Sequence, residues 1–388
     1  MVRKTAEAPT LPEAYRGREQ TYVKHVILRE YLERVAWNIL SFKRDFVFVD
    51  GFSGPWKSAR ADHSDTSFGI AIKQLRKVQR GFADKGTPKD LRCIFVERGA
   101  HAFRKLEAAA KGAQDLRAEA MHGRFEDHAD LIRQRIGNAF SLVFVDPTGW
   151  SFDLKKIAPL LRHEPGEVLV NFMFEHFRRF IDDKRADIRA THALPFGDAN
   201  WRSGLDRHLA SGLSQEEAVL RLFKDKLKEH CGFKYVASAR VQHRLATKTH
   251  FFLVYGTRNP KGLEEFRKVE KSALEIEATS RVEAKERDRQ ARTDQQFLFS
   301  AAEMAQGAPV GDCRAPDRPR AEAWIIDRLS GYPTITFEKA LEGVQEDFSL
   351  TVPEFKDVLV DLAKRCCVEF DGMAGKRKPD KGVTIRRT

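Results

Sequence analysis

The chain has 388 residues, more than one hydrophobic core usually serves, because single cores stop growing at about 250 to 300 residues, so two domains are expected. Hydrophobic residues at 42% and charged residues at 32% describe an ordinary globular protein. No window of about 20 apolar residues occurs, and the opening MVRKTAEAPTLPEAYRGREQ lacks the apolar core of a signal peptide, so no membrane partner and a cytoplasmic location are expected. The 68 Lys and Arg against 56 Asp and Glu leave a net charge of +12, which favours an anionic partner, nucleic acid before a membrane surface.

Residues 21–40 place Val23, Ile27, Tyr31, Val35 and Ile39 on one helical face. FVFV at 46–49 reads as a strand covered on both faces, as in a parallel sheet. A helix at 67–80 with Phe68, Ala71, Ile72, Leu75 and Val78 follows, within a long insertion at 57–90 that is a candidate lid. LRCIFVE at 91–97 is the second strand, and Phe103, Leu106 and Ala110 mark the next helix. A third strand is expected near 117–121, then a helix carrying Leu131, Ile132 and Ile136. Strands at 140–150 and 167–174 flank a short helix with Ile157, Leu160 and Leu161. Strands alternating with helices at this pitch predict an α/β sheet of parallel order.

Ser214 to Glu217 is a capping box for a helix whose inner face is Val219, Leu220, Phe223 and Leu227, with Gly232 as its stop. Two strands, 233–242 and 250–257, are joined by a short polar loop and predict a closing antiparallel hairpin. Residues 261–294, dense in both charge signs, read as a solvated helix. Three parts are therefore expected: an α/β domain with an N-terminal helix over 1–300, a Gly- and Pro-rich linker over 301–320, and a small domain over 321–388. The last is predicted as helix, helix, a third helix opened by a capping box at Thr351 to Glu354, and two short strands around a basic turn. That pattern is winged-helix-like.

The chemistry is sought first in FVFVDGFSGPW, residues 46–56, where a buried strand ends in Asp50 and bends through Gly51 and Gly54. In an open α/β sheet the first glycine-containing turn approaches the ligand most closely. A phosphate loop would need G-x-x-x-x-G-K-[ST], which is absent, and a dinucleotide site would need G-x-G-x-x-G where this chain has G-x-x-G. The five cysteines show no C-x-x-C pair, and His25, His101 and His176 have no ligand spacing, so reduced thiols and no metal are expected. Glu175 to Arg179, EHFRR, either opens a solvated helix or turns its arginines to phosphate.

The turn Asp50-Gly51-Phe52-Ser53-Gly54 resembles the first motif of class I S-adenosylmethionine-dependent methyltransferases, and a terminal hairpin distinguishes that Rossmann-like sheet from a plain dinucleotide fold. The resemblance implies S-adenosylmethionine as cofactor, held by this turn, by Glu97 through the ribose hydroxyls, and by Glu126 or Asp127 through the adenine. Asp146-Pro147-Thr148-Gly149-Trp150 is similar to the D-P-P-[FYW] of amino-group methyltransferases. It implies that Asp146 and the Pro147 carbonyl orient an amino group; Trp150 either stacks on a flipped base or packs in the core. Two departures stand out: Trp56 replaces the last glycine of the first motif, and DPTGW lacks the second proline.

The order from YVKHVILREYL through FVFVDGFSGPW, FVE and LVFVDPTGW to the hairpin is similar to that of the three-Cys-motif partner protein family, over residues 20 to 300. That resemblance implies a radical-S-adenosylmethionine-like three-Cys protein as partner and a phage-like or mobile-element setting. Two functions follow: methyl transfer to an amino group of nucleic acid, or a catalytically inactive adaptor that recruits the partner to nucleic acid. In either, Lys376, Arg377, Lys378, Lys381, Arg386 and Arg387 of the basic turn would meet phosphate.

Overall fold

Phe46, Val47, Phe48 and Val49 are fully buried because the strand they form, β1 (Asp45–Asp50), is central in its sheet and its alternating side chains are covered on both faces. Each such side chain contributes about 1.5–3 kcal/mol by leaving water. The computed structural model describes residues 11–293 and 314–388, apart from 55–57, 59, 61, 114, 148, 150 and 151. β1 runs parallel to β2 (Asp90–Glu97) on one side and to β4 (Phe140–Val145) on the other, with Phe48 opposite both Cys93 and Leu142. β3 (Arg117–His122) pairs parallel with β2, and β5 (Gly166–Phe172) parallel with β4. β7 (Thr249–Thr257) then runs antiparallel to β5, and β6 (Tyr235–Gln242) is paired beyond it. The seven-stranded order is β3-β2-β1-β4-β5-β7-β6, a mostly parallel α/β sheet with the expected terminal hairpin.

Two faces of helices cover it. α1 (Glu19–Leu40) buries Val23, Ile27, Tyr31 and Val35, and packs on α2 (Ser67–Ala83), whose N-cap Thr66 accepts a hydrogen bond from Gly69 N at 3.2 Å. α2 buries Phe68, Ala71, Ile72, Leu75 and Val78, so most of the candidate lid at 57–90 is a fixed layer of the fold. α3 (Ala100–Gly112), α4 (Phe125–Ile136), α5 (Leu154–Leu161) and α6 (Phe174–Arg179) follow their strands. α4 departs from the expected face: Ile132 and Ile136 are buried but Leu131 is exposed. β5 stops at Phe172, and Phe174 already belongs to α6. After α7 (Ala186–Ala193) and α8 (Trp201–Ala210) comes α9 (Gln215–Cys231), with the Ser214–Glu217 capping box formed and Gly232 left-handed at φ 70°.

The described chain divides into two compact units, one of residues 11–236 and 240–258, the other of 237–239 and 259–388. The second unit contains α10 (Pro260–Thr293), which corrects the expectation of a solvated helix. Leu263, Phe266, Val269 and Ala273 are fully buried, and so is the ion pair of Arg267 with Glu270. A sequence dense in charge hid a period-3.6 apolar stripe. Residues 294–313, including most of the expected linker, lie outside the described residues, and α11 (Asp317–Gly331) begins within its last residues.

The order then runs β8 (Thr334–Thr336), α12 (Phe337–Asp347), α13 (Val352–Lys364), β9 (Val368–Asp371) and β10 (Thr384–Arg387). The Thr351–Glu354 capping box opens α13 as expected. β8 has no signature in the sequence: three residues are too few to show alternation, and it forms by pairing antiparallel with β10, which also pairs with β9. Phe337, Val344, Phe355, Leu359 and Ile385 share this unit's core. Among the described residues no helix is long and apolar enough to cross a membrane, and no cluster of metal-ligating side chains occurs.

Candidate functional site at the carboxyl edge of the sheet

The strand order reverses at β1, whose neighbours β2 and β4 lead away in opposite directions, and ligands of open α/β sheets sit outside the carboxyl ends at such a point. A cavity of about 720 Å³ lies there, within the range of small-ligand sites. Its walls come from four successive strand ends: Gly51, Phe52 and Gly54 after β1, Glu97 and the start of α3 after β2, Gly123 to Glu126 after β3, and Pro147 after β4.

Backbone bonds hold these loops together. Gly51 N donates to Phe144 O at 3.0 Å, Ser53 N to Val96 O at 2.9 Å, and Gly123 N to Glu97 O at 3.1 Å. Glu97 Oε1 accepts from Gly99 N at 2.5 Å, which fixes the carboxylate beside the cavity. Glu126 Oε1 accepts from Asp153 N at 3.3 Å, and its Oε2 lies 3.7 Å from Arg124 Nε. Of the two adenine candidates only Glu126 lines the cavity; Asp127 is more than half exposed, 4.0 Å from Lys156.

Gly51 is small for a reason other than ligand approach. A Cβ there would come within 2.7 Å of the Phe125 ring, itself buried in the core and edge-on to Phe52 at 5.7 Å between centroids. Asp50 and Ser53 also work inside the loop. Asp50 Oδ1 accepts from Phe52 N at 3.0 Å, its Oδ2 from Ser67 Oγ at 2.6 Å, and Ser53 Oγ donates to Asp50 O at 3.1 Å. Burial pushes the Asp50 carboxyl up to about 6, with the nearby Asp146 charge adding to the rise against the bonds from Ser67 and Phe52 N.

Asp146, expected to orient a substrate amino group, is already engaged. Lys24 Nζ, from α1, lies 2.5 Å from Asp146 Oδ2, and Asn171 Nδ2, from the end of β5, donates to Asp146 Oδ1 at 2.6 Å. Asn171 is itself buried, and its Oδ1 accepts no hydrogen bond among the described residues. Trp150, like Trp56, lies outside the described residues.

No protein-family model matches the chain, and no curated protein does either. Among solved structures, a loganic acid methyltransferase with SAH is similar over 76% of this chain and 90% of that chain, at 8% identity and a TM-score of 0.31.

Several lining residues carried no signal in the sequence. Arg98, Lys105 and Arg124 bring positive charge to the cavity whose acids are Glu97 and Glu126, and His101 lines it beside them. Arg98 directly follows β2 and Arg124 lies two residues past β3, so their placement at the rim follows from chain order. Lys24 gave no such clue, being 122 positions from its partner. In EHFRR, Glu175 is buried and Arg179 lies 3.4 Å from it, so Arg179 answers a carboxylate of its own helix.

All six candidate phosphate-binding cations of the tail are exposed. Several have acidic neighbours: Lys378 pairs with Asp357, and Arg386 with Glu369 at 2.8 Å and Asp371 at 3.5 Å. Lys376 Nζ donates to Lys381 O at 2.7 Å and Arg387 Nη1 to Ser330 Oγ at 2.7 Å, whereas Arg377 makes no ion pair among the described residues.

Proposed function

We propose that this protein is an S-adenosylmethionine-dependent methyltransferase acting on an amino group of nucleic acid, alongside a radical-S-adenosylmethionine-like three-Cys protein. One observation carries the reading: the turn after β1, Glu97 after β2 and Glu126 after β3 line a single cavity at the switch point, next to Pro147. The chemistry of these donors suits the cofactor. Glu97 would accept from the ribose hydroxyls, Glu126 beside the Phe125 ring would take the purine, and the backbone of the Gly51–Gly54 turn would meet the amino-acid end. When bound, the cofactor supplies a methyl group on a sulfonium. An N–H acceptor fits the buried, unpartnered Oδ1 of Asn171, which needs a donor.

The Glu97→Ala variant is expected to bind S-adenosylmethionine about 10- to 150-fold more weakly, the loss of a hydrogen bond to a charged group at about 1.5–3 kcal/mol. Isothermal calorimetry checks it; equal affinity would remove Glu97 from the site, and no binding by the intact protein would remove the cofactor.

A second reading, an adaptor without catalysis, is favoured by Lys24 and Asn171, which already occupy both oxygens of Asp146. Tritium transfer from labelled S-adenosylmethionine to DNA and RNA separates the two. In both readings the C-terminal unit is taken as a winged helix that holds nucleic acid. Neutralising Lys376, Arg377 and Lys378 together is expected to weaken binding equally across sequences and to reduce the salt slope by about one unit for each phosphate no longer neutralised. Filter binding at several salt concentrations measures this, and an unchanged slope would place nucleic acid on another surface.

A further inference from the structure

A second polar cluster lies at the same edge of the sheet, one strand beyond Asp146 and Asn171. β7 runs antiparallel to β5, with Phe252 opposite Phe172, so the start of β7 meets the segment that leaves β5. There His250 Nδ1 lies 2.6 Å from Glu175 Oε2, and Lys248 Nζ lies 2.5 Å from Glu175 Oε1. The Glu175 carboxylate is buried, while His250 keeps about a quarter of its side chain exposed. Nδ1 is thus the donor to Glu175, and Nε2 makes no hydrogen bond among the described residues. Such a carboxylate fixes the imidazole tautomer, leaving the outer nitrogen as a base.

We infer that His250, oriented by Glu175, is the group that takes the proton from the methyl acceptor. The inference rests on the methyltransferase reading above and adds the base that Asp146, held by Lys24, does not supply. The acceptor nitrogen's lone pair forms a bond to the methyl carbon as the carbon–sulfur bond breaks, its pair staying on sulfur. The proton leaves nitrogen for His250 Nε2, and Glu175 balances the imidazolium. His250 is the catalytic residue and Glu175 a positioning residue. Besides these two, the charged or titratable groups close to the ring among the described residues are Lys248 and His243, at 6.0 Å between ring centroids; Arg244 in the hairpin turn acts on His243, and Arg179 on α6 pairs with Glu175. Burial and Lys248 hold His243 below the usual histidine range, so it adds little positive charge beside His250. Glu175 keeps its charge to low pH: burial acts to raise its carboxyl, but the bonds from Lys248 and His250 prevail and hold it down at about 2.

Three measurements on the full chain test this. Calorimetry with S-adenosylmethionine is expected to give equal affinity for the intact protein and His250→Gln, because the ring serves the acceptor. Tritium transfer to sheared genomic DNA or ribosomal RNA is expected to fall about 10²- to 10⁴-fold in His250→Gln. The acid limb of the intact protein's rate profile should vanish in that variant. Glu175→Gln, which removes a neighbouring negative charge, should move the limb to lower pH. Carbethoxylation of His250 by diethyl pyrocarbonate, mapped by mass spectrometry, reads the open Nε2 without any turnover, and its midpoint should move to lower pH in Glu175→Gln. Full transfer by His250→Gln with an unchanged limb would overturn the inference and leave the methyltransferase reading standing, as would a His250 that resists the reagent at every pH. Absence of cofactor binding or of transfer in the intact protein would overturn both.

Discussion

Replacing Arg267 by methionine is expected to destabilise the C-terminal unit by about 3–5 kcal/mol, the cost of leaving one member of a buried ion pair alone. Arg267 and Glu270 are each 1% exposed, with Nη1 2.6 Å from Glu270 Oε2. The guanidinium also donates to Gln345 O at 2.7 Å and Glu346 O at 3.3 Å, tying α10 to the end of α12. Nη1 donates as well to Ser238 O at 3.0 Å, so without the guanidinium one carboxylate and three carbonyls lose a donor. Burial already pushes the Glu270 carboxyl up against the pull of Arg267, so in the variant the group takes a proton more readily, and the deficit should shrink in acid. The double variant Arg267→Met, Glu270→Leu is expected to recover most of the loss, since an apolar pair of similar volume needs no desolvation. Hydrogen exchange of the α12 amides would register both changes. A single variant as protected as the intact protein, or a double variant no better than the single, would refute the account.

The second large effect depends on pH. Asp50 holds its proton up to about 6 when folded, against 3.8 for the free side chain. The folded state therefore binds more protons between these values, and the stability tied to this group is present at low pH and lost as pH rises through about 6. A shift of this size corresponds to about 3 kcal/mol. Asp50→Asn keeps an oxygen for Phe52 N and offers an amide to Ser67 Oγ, without the titration. Relative to the intact protein, the variant should gain about 2.5 kcal/mol between pH 4 and pH 7 in urea unfolding. An identical difference at both pH values would show that Asp50 is not held in this state.

The strands were legible wherever burial on both faces wrote a continuous apolar run, as in Phe46 to Val49, and the helices wherever a cap coincided with a periodic face, as at Ser214 and Thr351. The cavity followed from strand ends, which is why Glu97 and Glu126 were within reach of a reading from sequence. What escaped it depends on distant partners. Lys24 meets Asp146, and Glu175 meets His250, across the fold. Neither pair has a spacing to recognise. Arg267 and Glu270 are three apart and resemble any surface pair of a charged helix; their burial alone sets them apart. β8 exists only because β10 arrives beside it.

The close approach of Gly51 to Phe125 makes two loops one piece. Because the missing side chain at 51 is filled by the ring of Phe125 at the start of α4, sequence drift at either position is coupled to the other. Among relatives, a residue larger than glycine at 51 should occur only with a side chain smaller than phenylalanine at 125. Variation in what the cavity admits should then gather at other lining positions such as Arg98, His101 and Lys105.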